Sequence, residues 1–370
     1  MKLLVEQSAL AHALAQTTRA VSPQNALPVL AGVELSARDN SLHLYATDLT
    51  TALEAELPAE VVEPGQIVLP AGPLTDLVHR LPTALVSIES EGATRATLRY
   101  GRNQATLNGY GEERLPEFAQ LARDQAMAVR LPAGALADVT RQVLFACARD
   151  ETRPLLRGAV MELGEGRLVW AATDGSRLSQ VWWPLPDHLE TPARWVWPAK
   201  AVQEAARLAG SEEEPTIWLS PHLVQLAVGA FRLTSRLLEG QYPEYQRVIP
   251  QQYLVQCHVE LAALRGAVER VGLIAQRDRT TSLRIVHEPG MLEISAVSQD
   301  LGHAVETVEC RSEGQSLDIL FNPHFIMDVL KSLTGEEIVV EFAGTQSPAR
   351  FREASGSTYQ HILLPLRQLV

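Results

Sequence analysis

The chain has 370 residues, too many for one ordinary hydrophobic core, so two or three domains are expected. With 46% hydrophobic and 21% charged residues it is not a disordered chain, and no apolar window approaches the roughly 18 residues of a membrane span. The net charge of −12 argues, taken alone, against a protein that grips nucleic acid by neutralising many phosphates.

The opening run MKLLVEQSAL is not expected to be a secretory leader, because its apolar stretch stops at Val5 and an acid follows. Leu10, Leu14 and Val21 then mark a first helix. LPVLAGVEL (27–35), the alternating strand Leu42-His-Leu-Tyr and the turn in YATDLT (45–50) come next. VLPAGPLTDLVHRL (68–81) reads as a strand end, Pro70, and a helix with Leu74, Leu77, Val78 and Leu81 on one face. RLPEF (114–118) and a polar connector near 122–127 close this stretch.

The same order then recurs. Leu136, Val139, Val143, Leu144 and Cys147 mark a helix, which puts Cys147 on an apolar face as a buried, inert thiol. RPLLRGAVMEL (153–163), AATDGS (171–176), VWPAKAVQEAARLA (196–209), the strand Leu223-Val-Gln-Leu and QYPEY (241–245) follow, with a connector near 249–253. A third round brings a helix on Leu261, Leu264, Val268 and Val271, the strand Leu292-Glu-Ile-Ser and AVSQDLG (296–302). LFNPHFIMDVLKSL (320–333) then repeats the helical spacing with Ile326, Val329, Leu330 and Leu333, ahead of the strand Ile338-Val-Val-Glu-Phe. In HILLPLRQLV the alternation of Ile362, Leu364 and Leu366 predicts a buried strand, with Pro365 at an edge or strand end.

Pro70, Pro198 and Pro323 are 128 and 125 residues apart; Pro28 and Pro154, and Asp48 and Asp174, are each 126 apart. Such self-similarity implies three copies of one α+β unit, over 1–124, 125–251 and 252–370. Each copy is expected to hold two helices and about eight antiparallel strands.

Cys147, Cys257 and Cys310 lie far apart without a CxxC pair, which opposes a disulfide framework and a cysteine zinc site and fits a reducing, cytoplasmic setting. Lys2, Lys200 and Lys331 are the only lysines and no GxxxxGK occurs, which leaves few candidates for a lysine nucleophile or a phosphate-loop lysine; no cofactor is expected.

The run AATDGSRL (171–178) admits three chemical readings. Catalysis by Asp174 or Ser176 needs a nearby base, yet the ten histidines are scattered. A phosphate cradle has only Gly175 to build on and an acid that repels the anion. A binding turn, in which Thr173 and Asp174 bond the backbone and Gly175 takes positive φ, projects Arg177 and Leu178 outward beside Trp170. A plain hairpin turn explains the residues as well, and is preferred for Asp48.

Three such repeats with ETRPLLRG, ATDGSRL, EGQYPEYQRVIP and a C-terminal LLPLR resemble the bacterial sliding clamp family, the beta subunit of DNA polymerase III. The resemblance spans the whole chain. It implies a head-to-tail homodimer whose six domains close a ring with helices inside and sheets outside. It implies a non-catalytic, accessory role: the ring encircles duplex DNA, irrespective of sequence, and tethers a polymerase, a clamp loader and repair proteins through short linear motifs. A DNA-processing enzyme using Asp174 and a protein-only scaffold are the alternatives.

The pocket implied for those peptides takes Leu156, Thr173, Gly175, Ser176, Arg177, Leu178, Pro243, Arg247 and Val248 from the middle repeat. Asn322, Phe325, Pro348, Ile362, Leu364, Pro365, Leu366 and Arg367 come from the last. Two features depart from the family: Ser176 stands where a larger polar ring is frequent, and 368–370 extend past the usual end. The DNA-facing set implied by the resemblance is Arg19, Gln24, Arg80, Arg141, Arg153, Lys200, Arg207, Arg265, Arg270 and Lys331, with Asp150 nearby. The six inner helices carry eight bases against seven acids, whereas the chain carries 32 against 44. Ring closure is expected to join Arg102, Gln104 and Leu107 to Leu273, Ile274, Gln299 and Glu306 of a second copy.

Overall fold

The computed structural model describes residues 1–22, 27–185, 192–210, 214–275, 282–356 and 358–366. The first third of the chain runs β1 (Lys2–Glu6), α1 (Gln7–Thr17), β2 (Gly32–Arg38), β3 (Ser41–Thr47), β4 (Thr51–Pro58), β5 (Glu60–Glu63), β6 (Gly65–Pro70), α2 (Ala71–His79), β7 (Leu85–Glu91), β8 (Arg95–Tyr100) and β9 (Asn103–Asn108). The second runs β10 (Met127–Arg130), α3 (Ala135–Gln142), β11 (Gly158–Gly164), β12 (Arg167–Thr173), β13 (Arg177–Pro184), β14 (Ala193–Pro198), α4 (Ala199–Ala209), β15 (Thr216–Leu219), β16 (Leu223–Val228) and β17 (Phe231–Arg236). The third runs β18 (Val255–Glu260), α5 (Leu261–Ala275), β19 (Leu283–Glu288), β20 (Met291–Ser298), β21 (Gly302–Gly314), β22 (Leu317–Phe321), α6 (Pro323–Ser332), β23 (Glu337–Phe342), β24 (Ala349–Glu353) and β25 (Tyr359–Leu363).

Among the described residues each third thus has one strand, a helix, four or five strands, a second helix and three strands. Local chemistry sets the pattern. Pro70 and Pro198 immediately precede α2 and α4, and Pro323 opens α6, where a missing N–H costs nothing. The Asn322 side chain caps α6 by accepting from the His324 N–H at 2.9 Å. In β3, Leu42, Leu44 and Ala46 alternate into the core.

Several expected helical positions fall outside their helices: Leu81 and Leu333 lie just past the ends of α2 and α6, and two larger departures occur in α1 and α3. Thr18 Oγ1 donates to the Leu14 carbonyl at 2.6 Å, and α1 gives way to a 3-10 turn, Thr18–Ala20, which leaves Val21 extended. In the second repeat α3 stops at Gln142, a 3-10 turn covers Leu144–Ala146, and Cys147 is extended. Cys147 is still buried, and burial pushes its thiol up to about 12, so it is inert.

The chain forms two compact units: Met1–Ala137 with Lys200–Leu237, and Asp138–Ala199 with Leu238–Val370. The first holds a five-stranded sheet, β5-β1-β7-β8-β9, and an eight-stranded sheet, β10-β15-β16-β17-β4-β3-β2-β6. The second holds one twelve-stranded sheet, β14-β11-β12-β13-β25-β24-β23-β18-β21-β20-β19-β22. The middle third therefore divides its strands. Its β17 pairs antiparallel with β4 of the first third, and its β13 with β25 of the last. In the first unit α1 packs on α2; in the second α5 packs on α6.

Candidate functional site

β12 ends at Thr173 and β13 begins at Arg177, so Asp174, Gly175 and Ser176 must reverse the chain. Thr173 Oγ1 donates to the Arg177 carbonyl at 2.6 Å and accepts from the Gly175 N–H at 3.1 Å. Asp174 Oδ1 accepts from the N–H groups of Ser176 and Arg177 at 2.9 and 3.1 Å, and Oδ2 accepts from Arg177 Nε at 3.0 Å. Gly175 has φ +93°, and a Cβ there would sit 3.1 Å from Arg153 Nη1. Both oxygens of Asp174 thus cap the turn, and among the described residues no histidine bonds to them.

The turn does not project Arg177 and Leu178 outward. The Arg177 side chain is 5% exposed and Leu178 is buried. Arg177 turns inward because two carboxylates and a carbonyl wait there: Nη1 donates to Asp328 Oδ2 and Nη2 to the Phe145 carbonyl, both at 2.6 Å. Leu178 faces Ile362 across the β13–β25 pairing. Both join Leu156, from the 3-10 turn Pro154–Arg157, in a buried cluster with Tyr242 and Tyr245.

Apolar groups also flank this floor in the open. The Leu364 N–H donates to the Ser176 carbonyl at 3.0 Å and the Leu366 N–H to the Leu320 carbonyl at 2.8 Å. β25 ends at Leu363, so the expected strand through Leu366 stops short, and Leu364 and Leu366 are 38% and 40% exposed. Pro365 thus follows a strand end, although β25 itself lies between β13 and β24 rather than at an edge. Val248, on the 3-10 turn Tyr245–Val248, is 47% exposed; Pro243, Arg247, Gly175 and Ser176 are exposed as well. Thr173 is buried, while Asn322, Phe325, Pro348 and Pro365 are half-buried. All these residues belong to the second compact unit. Arg367 and the 368–370 tail lie outside the described residues.

The sequence pattern did not single out Asp328, Phe145, Ser179 or His361, which brace this site from beneath. Ser179 Oγ and His361 Nδ1 are 2.6 Å apart and fully buried. Burial, and then the charge of Arg177, bring the His361 imidazole down to about 3, so it is neutral. The Asp328 to Phe325 spacing of one helical turn was the one legible hint.

Most of the basic residues expected to face DNA are already paired. Arg19 and Arg207 reach the buried Glu204 at 3.7 and 2.5 Å, and Lys200 reaches Asp48 Oδ2 at 2.6 Å. Arg80 pairs with Asp76, Arg141 with Asp138, Arg153 with Asp150 and Arg270 with Glu306. The Arg153 guanidinium holds the Asp150 carboxyl down at about 2, and Arg270 holds that of Glu306 below the usual range. Arg265 donates to the Leu330 and Leu333 carbonyls at the end of α6, and Lys331 is exposed on the last turn of that helix. Gln24 lies outside the described residues.

Arg102, Gln104 and Leu107 sit on or beside β9, the edge strand of the five-stranded sheet. Leu273 is 67% exposed on α5, beside the half-buried Ile274. Gln299 is exposed between β20 and β21, and Glu306 lies within β21. Val297, Leu301 and Val305 are exposed on the same hairpin. The interface expectation passed over Val297.

Comparison with known proteins decides what this architecture is. Family models match consecutively: the N-terminal domain of the DNA polymerase III beta subunit at residues 1–119, its central domain at 130–244 and its C-terminal domain at 246–367. The chain belongs to the DNA polymerase III beta subunit family. A beta sliding clamp of Staphylococcus epidermidis is 28% identical, over 99% of both chains. The crystal structure of a DNA polymerase sliding clamp from Bacillus subtilis superposes with a TM-score of 0.93 at 28% identity, covering 100% of this chain and 99% of that one. The beta subunit from Pseudomonas aeruginosa gives 0.91 at 27%, covering 99% and 100%. This chain therefore has the three-domain clamp fold, with mixed helices and antiparallel sheets. Among the described residues no helix is long and apolar enough to cross a membrane.

Proposed function

We propose that two copies of this chain close head to tail into a ring around duplex DNA, and that the ring keeps a replicative polymerase on its template. The three beta-subunit domains in order along one chain carry this reading. Each copy contributes three domains, over 1–124, 125–251 and 252–370. β9 ends its sheet unpaired on one side, and residues 302–308 of β21 pair only with β20 among the described residues. These two edges, with Leu273, Val297, Leu301 and Val305 exposed beside the second, suit strand-to-strand closure between copies.

The ring acts by topology and performs no chemistry of its own. Most of its inner cations are balanced by Glu204, Asp48, Asp76, Asp138, Asp150 and Glu306, which favours sliding over gripping. It works in the cytoplasm, on DNA of any sequence. The polymerase, the clamp loader and repair proteins dock through short linear peptides on the exposed Val248, Leu364 and Leu366, over the floor of Leu156, Leu178 and Ile362. Burying ~300 Å² of a peptide's apolar surface at ~25 cal/mol/Å² gives a gross gain of about 7 kcal/mol. Association entropy offsets much of this, so binding is micromolar and partners can exchange.

The test loads the protein onto circular DNA with the loader and ATP, then linearises the DNA. Retention on the circle and loss after cutting support the ring; equal retention on both refutes it. Leu273→Asp is expected to halve the solution mass and abolish retention.

A further inference from the structure

Arg177 opens β13 directly after an exposed turn, yet its side chain is almost completely buried. Its three nitrogens go to three different segments. Nε bonds Asp174 of the turn, Nη2 the Phe145 carbonyl, and Nη1 Asp328 of α6. The guanidinium carbon also lies 4.2 Å from the centroid of the Phe325 ring and 5.4 Å from that of Phe145. Asp328 and Phe325 are three apart on α6, so one helical face meets the guanidinium through both a carboxylate and a ring. A planar fork can make these bonds together; a lysine ammonium cannot.

We infer that Arg177 is a positioning residue of the partner pocket, latching the 173–177 turn to α6 and fixing the Phe325 ring, without touching the peptide itself. The inference rests on the pocket reading above and deepens it. One wall of the pocket is the turn and the other is the start of α6, and Arg177 sets their separation. Its guanidinium already covers part of Phe325, so a partner's side chain must use the rest of the ring. A wall fixed before binding need not be ordered by the peptide, which strengthens the complex.

The experiment uses the full-length protein grown with 4-fluorophenylalanine. The chain has seven phenylalanines, and Phe325→Leu assigns the signal of interest. The probe is a fluorescein-labelled synthetic decapeptide carrying two leucines and a phenylalanine. Asp328→Asn is the mild variant, since it leaves Arg177 paired with Asp174; Arg177→Lys is the stronger one. Both are expected to move the Phe325 fluorine resonance without peptide and to weaken the probe about fivefold to tenfold. Asp328→Glu is expected to recover part of both effects. Unchanged affinity in Asp328→Asn overturns the latch, and so does weakened affinity with an unmoved Phe325 resonance. Val248→Asp, away from the latch, tests the pocket separately. If wild type binds the probe no better than Val248→Asp, the pocket reading fails, and the fluorine resonance alone then decides the latch.

Discussion

The two places where the middle repeat joins its neighbours are built alike and behave differently. At β4–β17 the turn 47–51 places Thr47 Oγ1 on the Thr51 carbonyl, and Asp48 Oδ1 on the N–H groups of Thr50 and Thr51. At β13–β25 the turn 173–177 makes the same bonds with Thr173, Asp174, Ser176 and Arg177. The cation on the remaining carboxylate oxygen differs. At the first junction it is Lys200, half exposed and arriving from α4. At the second it is Arg177 of the turn itself, buried and carried on to Asp328. The strand centres differ as well: Leu53 faces Leu233 in one, Ser179 faces His361 in the other. One scaffold thus carries a half-exposed ion pair beside a seam with Leu53 on Leu233 and buried hydroxyls at Thr51 and Ser235, or a buried ionic network beside a seam with Ser179 on His361. The second has a buried floor of Leu156, Leu178 and Ile362 with Val248, Leu364 and Leu366 exposed beside it.

The largest expected contrast comes from removing each cation in turn. Arg177→Met strands two carboxylates and should cost about 3–5 kcal/mol in the unfolding of the second unit by urea. Acid should separate the junctions next. Unfolded histidine binds a proton below about 6.5, whereas folded His361 resists until about 3. Between those values the unfolded state holds the extra proton, so stability is full above the window and falls as pH drops through it. The slope should be roughly 1.4 kcal/mol per pH unit greater than in His361→Gln, read by denaturation at several pH values. The turns give a smaller pair. Gly175→Ala forces a side chain to φ +93° against Arg153 and should cost about 1–2 kcal/mol, whereas Leu49→Gly relieves φ +73° and should add about 0.5–1 kcal/mol. Smallest of all, Lys200→Met should change stability by less than about 1 kcal/mol, and less still at high salt. Equal costs for the two cation deletions would erase the distinction between the junctions.

The period of the chain was legible because proline before a helix and Thr-Asp in a turn are local signals. They locate α2, α4, α6 and both turns without knowledge of the tertiary structure. The floor of the site was legible in Leu156, Leu178 and Ile362 only through family resemblance. The fate of Arg177 was hidden. An arginine after Asp-Gly-Ser looks solvent-bound, and the residue that draws it inward, Asp328, is 151 positions away. The Ser179–His361 pair was hidden for the same reason: alternation marks a strand's buried face but not which buried position is polar. At the C-terminus, alternation ran past the real strand because Leu364 and Leu366 keep the spacing after β25 has ended at Leu363.

The division of the middle repeat between two sheets bears on how this molecule can be cut. A fragment limited to 130–244 would carry β17 and β13 without β4 and β25, leaving two long ladders of N–H and C=O groups bare. Such a piece would be sticky in isolation. The threefold repeat is therefore not expected to yield three separable products, because backbone pairing as well as a connector joins the middle repeat to each neighbour.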